Sequence, residues 1–186
     1  MKTVAMTYMR ANPVTTGHEM VYNRLLAVKN AEHYIFLSSS HDKIKNPLSA
    51  EDKLRFAKIV FKAADVEIVR GGFIQAIKKV SPADKLVIVV GDDRIEDIKA
   101  KANKYNHKEF EFGEIDVISS GTRLGDAISA TKMRKWAADG DFDKFAAGCS
   151  KKMTIEQKRE MYDLVREGMG ENPNKPINES VLFAFD

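Results

Sequence analysis

The chain is poor in cysteine, in net charge and in long apolar segments, and each of these features excludes a class of protein. Cys149 is the only cysteine among 186 residues, so the chain can form neither an internal disulfide nor a thiolate metal cluster. The formal net charge of +3 is too small to indicate binding to nucleic acid or to an anionic membrane. No apolar run has the length of a membrane span, and no signal peptide precedes the first predicted strand. We therefore expect a cytoplasmic protein with neither nucleic-acid nor membrane partners.

Length and composition favour one globular domain. The chain is long enough for one substantial core but short for two, and its 44% hydrophobic and 31% charged residues are typical of soluble globular proteins. We expect residues 1–150 to form an α/β domain. Residues 151–186 are expected to add a helix and a tail, packed on the same domain or on a partner subunit.

Apolar segments alternate with amphipathic ones along most of the chain. The segment 86–90 is apolar on both faces, as in the centre of a parallel sheet. This alternation predicts right-handed βαβ units, and hence a Rossmann-like, doubly wound sheet of about five parallel strands. C-terminal helices and an extended tail should follow the sheet. The predicted strands are 3–8, 34–37, 66–69, 86–90 and 115–118.

The amphipathic segments predict the helices. Thr154 is the expected N-cap of the last one, and four apolar residues along it are expected to face inward: Ile155, Met161, Leu164 and Val165. The segment 105–111 should be a loop or an edge strand. The predicted helices are 19–31, one that Ser49 opens, 73–80, 95–102, 131–138, 141–147 and 154–167.

The stretch from Met9 to His18 joins the first predicted strand to the first predicted helix. Pro13 fixes φ and removes a backbone N–H, so the chain must turn there. Gly17 allows backbone to pass close to a neighbouring group, and His18 lies in the first helical turn, where it can add a donor. A polar turn that leads into a helix is a natural phosphate site. An ordinary turn with a surface histidine would give the same pattern.

Other polar stretches also follow predicted strands, and one of them carries a second motif. The polar segments 12–18, 38–45, 91–94 and 119–134 should meet at the carboxyl edge of the sheet, where α/β proteins bind ligands. The sequence PVTTGH at 13–18 resembles the T/H-x-G-H element of the nucleotidyltransferase superfamily, which includes the nicotinamide-mononucleotide and phosphopantetheine adenylyltransferases. The sequence ISATKMR at 128–134 resembles its I-S-x-T-x-x-R element. The resemblance covers roughly residues 1–150.

The resemblance implies transfer of AMP from ATP to a small phosphorylated acceptor, with release of pyrophosphate and with Mg²⁺ bound through the triphosphate. Thr15 and His18 would donate to the triphosphate, His18 at the α-phosphate. Arg134 would bind the leaving pyrophosphate, and Lys45, with Lys43 as second choice, would contact a phosphate. The remaining nucleotide-binding residues implied are Arg10, Asn12, Pro13, Gly17, Gly91, Asp93, Ile128, Ser129 and Thr131. No protein metal ligand is expected.

Two other functions remain open at this stage. A CTP-dependent cytidylyltransferase is the alternative enzyme, because the segment 120–129 half resembles the R-T-x-G-I-S-T element of those relatives. A non-catalytic nucleotide-binding or assembly protein is the alternative from another class, since the apolar segment 181–185 could form a contact between subunits. Met9-Arg10-Ala11 departs from the Gly-x-Phe of many relatives. His33, His41 and His107 are interpreted as structural or surface residues.

Overall fold

The computed structural model describes residues 1–121 and 127–171, and the strands among them form one parallel sheet. The expected tail lies outside the described residues. The strands are β1 Thr3–Met9, β2 Glu32–Ser38, β3 Asp65–Val69, β4 Ala83–Val90 and β5 Phe112–Ser119. The helices are α1 Thr16–Leu26, α2 Ala50–Val60, α3 Phe73–Val80, α4 Ile95–Tyr105, α5 Ala130–Ala138, α6 Phe142–Gly148 and α7 Ile155–Gly168, with a 3₁₀ turn at Asp92–Arg94. The predicted α/β fold with five parallel strands is confirmed.

The strand order is β3-β2-β1-β4-β5. The chain builds outward from β1 to β3, crosses back to place β4 beside β1, and continues to β5. The order therefore reverses between β1 and β4, which is the point where doubly wound sheets open a crevice at their carboxyl edge. The turn at 12–13, which includes a cis Asn12–Pro13 peptide, follows β1 at that point.

Both faces of the sheet are covered, because alternate residues of the central strands belong to two separate cores. In β1, Ala5 faces the core formed with α1, α2 and α5 to α7, whereas Val4 and Met6 face the core formed with α3 and α4. This two-sided burial explains why the central strands are continuous apolar runs.

Three predictions of secondary structure or orientation are wrong. Helix α1 begins at Thr16 and ends at Leu26 rather than at residue 31, because Ala27 is its C-cap. Helix α4 continues to Tyr105 rather than ending at residue 102; of the two alternatives for the segment that follows, the loop is the one observed, since residues 106–111 make only an isolated bridge. Ile155 is 58% exposed, because it is the first residue of α7, directly after the N-cap Thr154, and so lies at the end of the helix although it shares a side with buried Tyr162.

Helix α7 packs on the same core as α1 and α2. Met161, Tyr162 and Val165 are buried in that core, and the Arg166 guanidinium donates to the carbonyl of Ala137 at the end of α5. In the segments 1–121 and 127–171, no helix has the length and apolar character needed to cross a membrane.

Candidate functional site

A cavity of about 290 Å³ lies where the loop after β1 meets the start of α5. No carboxylate is present among the described residues that line it, although the chain carries 27 acidic side chains. Such a lining favours an anionic ligand. The lining residues are Arg10, Ala11, Asn12, Thr15, Gly17, His18, Val21, Ile128, Ser129, Ala130, Thr131 and Arg134.

The first wall of the cavity is the N-terminus of α1. Thr15 is its N-cap, and its hydroxyl accepts from the N–H of Gly17 at 3.2 Å. His18 completes a capping box, because its Nδ1 accepts from the backbone N–H of Thr15 at 3.0 Å. A neutral imidazole whose Nδ1 accepts must carry its proton on Nε2. His18 is therefore oriented as an Nε2 donor by its own helix.

The two sequence motifs are joined by a direct contact. The Thr15 hydroxyl donates to the carbonyl of Ile128 at 2.7 Å. Beside it, a Cβ on Gly17 would lie 2.7 Å from the same carbonyl oxygen, so only glycine permits this approach. The close backbone approach expected at Gly17 is thus present, and the neighbouring group is the second motif. In this arrangement the Thr15 hydroxyl has no proton left for a phosphate, contrary to the donor role expected for it.

The second wall is the N-terminus of α5. Ser129 is the N-cap and accepts from the N–H of Lys132 at 3.2 Å. One helical turn on, the Arg134 guanidinium donates to the backbone carbonyl of Asn12 at 2.9 Å and to the Thr131 hydroxyl at 3.3 Å. Two helix N-termini, each with a partial positive charge, therefore face one cavity.

Positively charged side chains at this site repel one another, which disfavours their charged forms. Burial lowers the pKa of Arg134 from its ordinary value, the charge of Arg10 lowers it further, and Asp42 acts in the opposite direction. Asp42 lies in the loop after β2. Its carboxylate accepts from the N–H groups of Ile44 and Lys45 and from the amide of Asn46, and these bonds hold the pKa of Asp42 well below its usual range.

Some predicted site residues are placed elsewhere. Asn12 reaches the cavity, but its amide is committed to the backbone of Leu48, donating to the carbonyl at 3.0 Å and accepting from the N–H at 2.9 Å. Asn12 thus fixes the loop after β2 against the turn after β1. The predicted residues that are not among those lining the cavity are Pro13, Lys45, Gly91 and Asp93.

Lys45, Gly91 and Asp93 still lie in loops at the carboxyl edge of the sheet. The Lys45 side chain is exposed, and its backbone N–H donates to Asp42 at 2.7 Å. Asp93 is exposed in the 3₁₀ turn after β4, and Gly91 is the residue before that turn. Any contact of theirs with a ligand would require that ligand to extend beyond the cavity.

Sequence reasoning missed two residues of this region. Ala11 lines the cavity with a φ of +46°, a left-handed conformation that is uncommon outside glycine. Lys53 is fully buried in α2 behind the site. The sequence pattern could have predicted the burial of Lys53, because this residue lies at helical spacing from the buried residues Phe56, Ala57 and Val60 of α2.

Side chains that could bind a metal ion are not clustered in the described residues, where no group of three or more His, Cys, Asp or Glu is suitably arranged. His33 bonds the carbonyl of Val28 at 2.8 Å, and His107 pairs with Glu111 on the surface. Burial raises the pKa of the Cys149 thiol to about 12, so it stays protonated at neutral pH.

Comparisons with known proteins bear on the fold. No family model and no curated protein matches the chain. A candidate nicotinate-nucleotide adenylyltransferase from Vibrio parahaemolyticus is similar in structure, with a TM-score of 0.57 and 15% identity over 87% of this chain and 99% of that one. Thermotoga maritima TmcAL bound with alpha-thio ATP is similar with a TM-score of 0.55 and 11% identity, over 93% of this chain and 57% of that one.

Both likenesses are too distant in sequence to show more than architecture. The architecture that they share with this chain is the expected Rossmann-like fold of parallel strands flanked by helices.

Proposed function

We propose that this protein is a nucleotidyltransferase that transfers AMP from ATP to a small phosphorylated acceptor, such as nicotinamide mononucleotide, and releases pyrophosphate. One observation carries the proposal. The N-termini of α1 and α5 converge on a cavity that also presents Arg10, His18 and Arg134 and that has no carboxylate among its described lining residues.

The reaction needs position and charge rather than a covalent enzyme intermediate. A phosphate oxygen of the acceptor bonds to the α-phosphorus of ATP, and the bond from that phosphorus to the bridging β-oxygen breaks, so pyrophosphate leaves with the electron pair. Protein groups that donate to the developing charge lower the barrier. In this proposal His18 donates from Nε2 to the α-phosphate. The N–H groups that begin α5, capped by Ser129, bind the β- and γ-phosphates.

Arg134 would then bind the pyrophosphate as it leaves. Its guanidinium is already oriented by the carbonyl of Asn12 and the hydroxyl of Thr131, and a forked donor matches two phosphate oxygens. Mg²⁺ would enter with the triphosphate, because the cavity lining offers no carboxylate among its described residues. The ion would neutralise part of the phosphate charge.

The two similar structures support the nucleotide rather than the acceptor. One is described as a candidate adenylyltransferase of a nicotinate nucleotide, and the other holds an ATP analogue. Neither likeness selects among acceptors, so nicotinamide mononucleotide stands here for a class of small phosphate esters.

The test is pyrophosphate release by the wild-type protein with ATP or CTP against a panel of phosphorylated acceptors. We expect ATP to be used, and we expect His18→Ala to lower kcat roughly a hundredfold to a thousandfold, as removal of one oxyanion donor does. The matched control is His33→Ala, because His33 lies near the start of β2, at the opposite edge of the sheet from the cavity. That variant should keep the wild-type rate.

The outcomes separate the candidate functions. Faster turnover with CTP would replace AMP transfer by CMP transfer. Tight ATP binding with no pyrophosphate released from any acceptor would make this a nucleotide-binding protein. Full activity in a folded His18→Ala variant would remove His18 from the reaction.

A further inference from the structure

Lys53 is a buried lysine without an acidic partner among the residues that the structure describes. Its side chain has no exposed surface, and its ammonium donates to the carbonyl and the hydroxyl of Ser38, the hydroxyl at 3.2 Å. Within residues 1–121 and 127–171 no carboxylate lies within ion-pair distance of it. A buried charge normally requires a counter-ion or is replaced by an apolar side chain. The charge at this position therefore calls for a partner that is not part of the described chain.

The position of Ser38 connects Lys53 to the cavity. Ser38 is the last residue of β2, and Met9 of β1 pairs with Leu37, so Arg10 and Ser38 are the next residues along the two strands. Arg10 lines the cavity. Lys53 thus bonds the residue beside Arg10 without itself lining the cavity, and its burial keeps solvent from screening its charge.

The charged groups around Lys53 do not neutralise it. Arg10 faces it from the end of β1, and Arg134 of α5 and Asp42 of the loop after β2 lie further along the same edge. On its own helix, Asp52 pairs with Arg55 at 3.1 Å. Arg55 also pairs with Glu160 of α7 at 2.9 Å. Three cations therefore share this edge in the absence of a ligand, and Asp42 already accepts three hydrogen bonds from its own loop.

We propose that Lys53 is a positioning residue of the anion site: it fixes Ser38 and the loop after β2, and it places a shielded positive charge behind Arg10 that favours polyanions such as a nucleoside triphosphate. The proposal rests on the proposed function only in naming the triphosphate as the ligand. Lys53 does not touch the ligand, since it is buried and does not line the cavity.

The pH dependence of binding gives the readout that a purely structural role would not produce. Burial, and then Arg10, lower the pKa of Lys53 to about 8. An anion beside Arg10 favours the charged ammonium, so the pKa in the complex must lie above that of the unliganded protein. The contribution of Lys53 to affinity is therefore fully present well below pH 8 and is lost as the pH rises above it.

The experiment measures ATP binding by calorimetry at pH 8, in two buffers of different ionisation enthalpy, for wild type, Lys53→Met and Lys58→Met. Methionine matches the length of lysine and removes both the charge and the hydrogen bonds to Ser38. Lys58 is the control, because it is an exposed lysine of the same helix. We expect Lys53→Met to weaken ATP binding about tenfold and Lys58→Met to leave it unchanged. On binding ATP at pH 8, wild type should take up about half a proton more per bound ligand than Lys53→Met.

A measurement on wild type alone covers the case in which Lys53→Met does not fold. ATP affinity should then fall as the pH rises from about 7 to about 10, most steeply between the pKa of free Lys53, about 8, and the higher pKa in the complex. The exposed N-terminal Met1, at the opposite edge of the sheet, can be acetylated to remove its own titration. An affinity that is flat over this range would overturn the proposal, as would a folded Lys53→Met variant with wild-type affinity and proton uptake.

These outcomes are distinguishable from those of the proposed function. If the protein releases pyrophosphate but Lys53→Met binds ATP as wild type does, this inference is wrong and the proposed transferase activity is still supported. Binding that depends on Lys53, without pyrophosphate release from any acceptor, would support the inference and contradict the transferase. A wild-type protein that binds no ATP would contradict both.

Discussion

At the scale of single residues, the site divides into side chains that face the cavity and side chains that build it. His18 and Arg134 line the cavity with donors oriented by backbone groups. Thr15 and Asn12 belong to the second group, because the hydroxyl of Thr15 is bonded to Ile128 and the amide of Asn12 to Leu48. A polar residue in a motif can thus be required for the site without contacting the ligand.

Arg134→Lys tests the most specific of these assignments. Lysine keeps the positive charge but cannot donate to the Asn12 carbonyl, the Thr131 hydroxyl and a phosphate in one plane. We expect kcat to fall roughly tenfold to a hundredfold while the Kd of ATP changes by less than about threefold. Steady-state kinetics and calorimetry on the same preparation give both numbers.

A structural role for Arg134 would give a different result. Asp139, the C-cap of the same helix, pairs with Lys135 at 2.7 Å rather than with Arg134, so the loss of an ion pair is not the expected effect. If the melting temperature fell by several degrees and kcat per folded molecule did not change, Arg134 would be a structural residue. Lys135→Ala, which disrupts the neighbouring exposed pair, is the control for stability.

At the scale of elements, α7 supports α5 and the loop after β2, which Asn12 joins to the turn after β1. Arg166 donates to the end of α5, and Gly168 lies against the loop after β2. A Cβ on Gly168 would overlap the carbonyl oxygen of Pro47 and lie 2.7 Å from its carbonyl carbon. Helix α7 therefore approaches this loop as closely as backbone allows, one residue from the Leu48 that Asn12 holds.

Gly168→Ala should separate α7 from that loop. The added methyl group meets backbone rather than a flexible side chain, so we expect a loss of about 1–3 kcal/mol in the free energy of unfolding. For a chain of this size the melting temperature should drop by roughly 3–10 °C, which thermal denaturation would measure.

The neighbouring residue supplies the control for this change. Glu167 is exposed on the same helix, and Glu167→Ala should leave the melting temperature within about 1 °C, since exposed substitutions have small effects. Equal stability of Gly168→Ala and wild type would mean that α7 does not lie against Pro47 in solution.

At the scale of the whole molecule, the order of the sheet brings the motifs together. The reversal between β1 and β4 leaves room at the carboxyl edge, and α5 enters that room more than a hundred residues after α1. The two cores on either face hold the edge rigid, since every strand of the sheet is packed on both sides. The cavity is therefore a property of the topology rather than of either motif.

The apolar tail is the remaining prediction at this scale, and it lies outside the described residues. The segment 181–185, VLFAF, is too apolar to stay solvated. Truncation after Asn178 should lower the melting temperature if the tail packs on its own chain, or change the elution volume in sizing chromatography if it joins subunits.

A full-length control separates the apolar character of the tail from its length. Replacing Leu182, Phe183 and Phe185 by serine should reproduce the effect of the truncation. If neither variant differs from wild type in melting temperature or elution volume, the tail makes no apolar contact.

Local periodicity was enough to predict the fold class, because strands that are apolar on both faces and amphipathic helices can be recognised from the chain alone. It also indicated Gly17 as a point of close backbone approach and placed His18 in the first turn of the helix, since both are local signals of the stretch after the first strand. Which contacts these residues make in the site depends on the tertiary structure. The hydrogen bond from the Thr15 hydroxyl to the Ile128 carbonyl joins segments that are distant in sequence, and so does the bond from buried Lys53 to Ser38. No local pattern predicts either contact, so only the tertiary structure could reveal them.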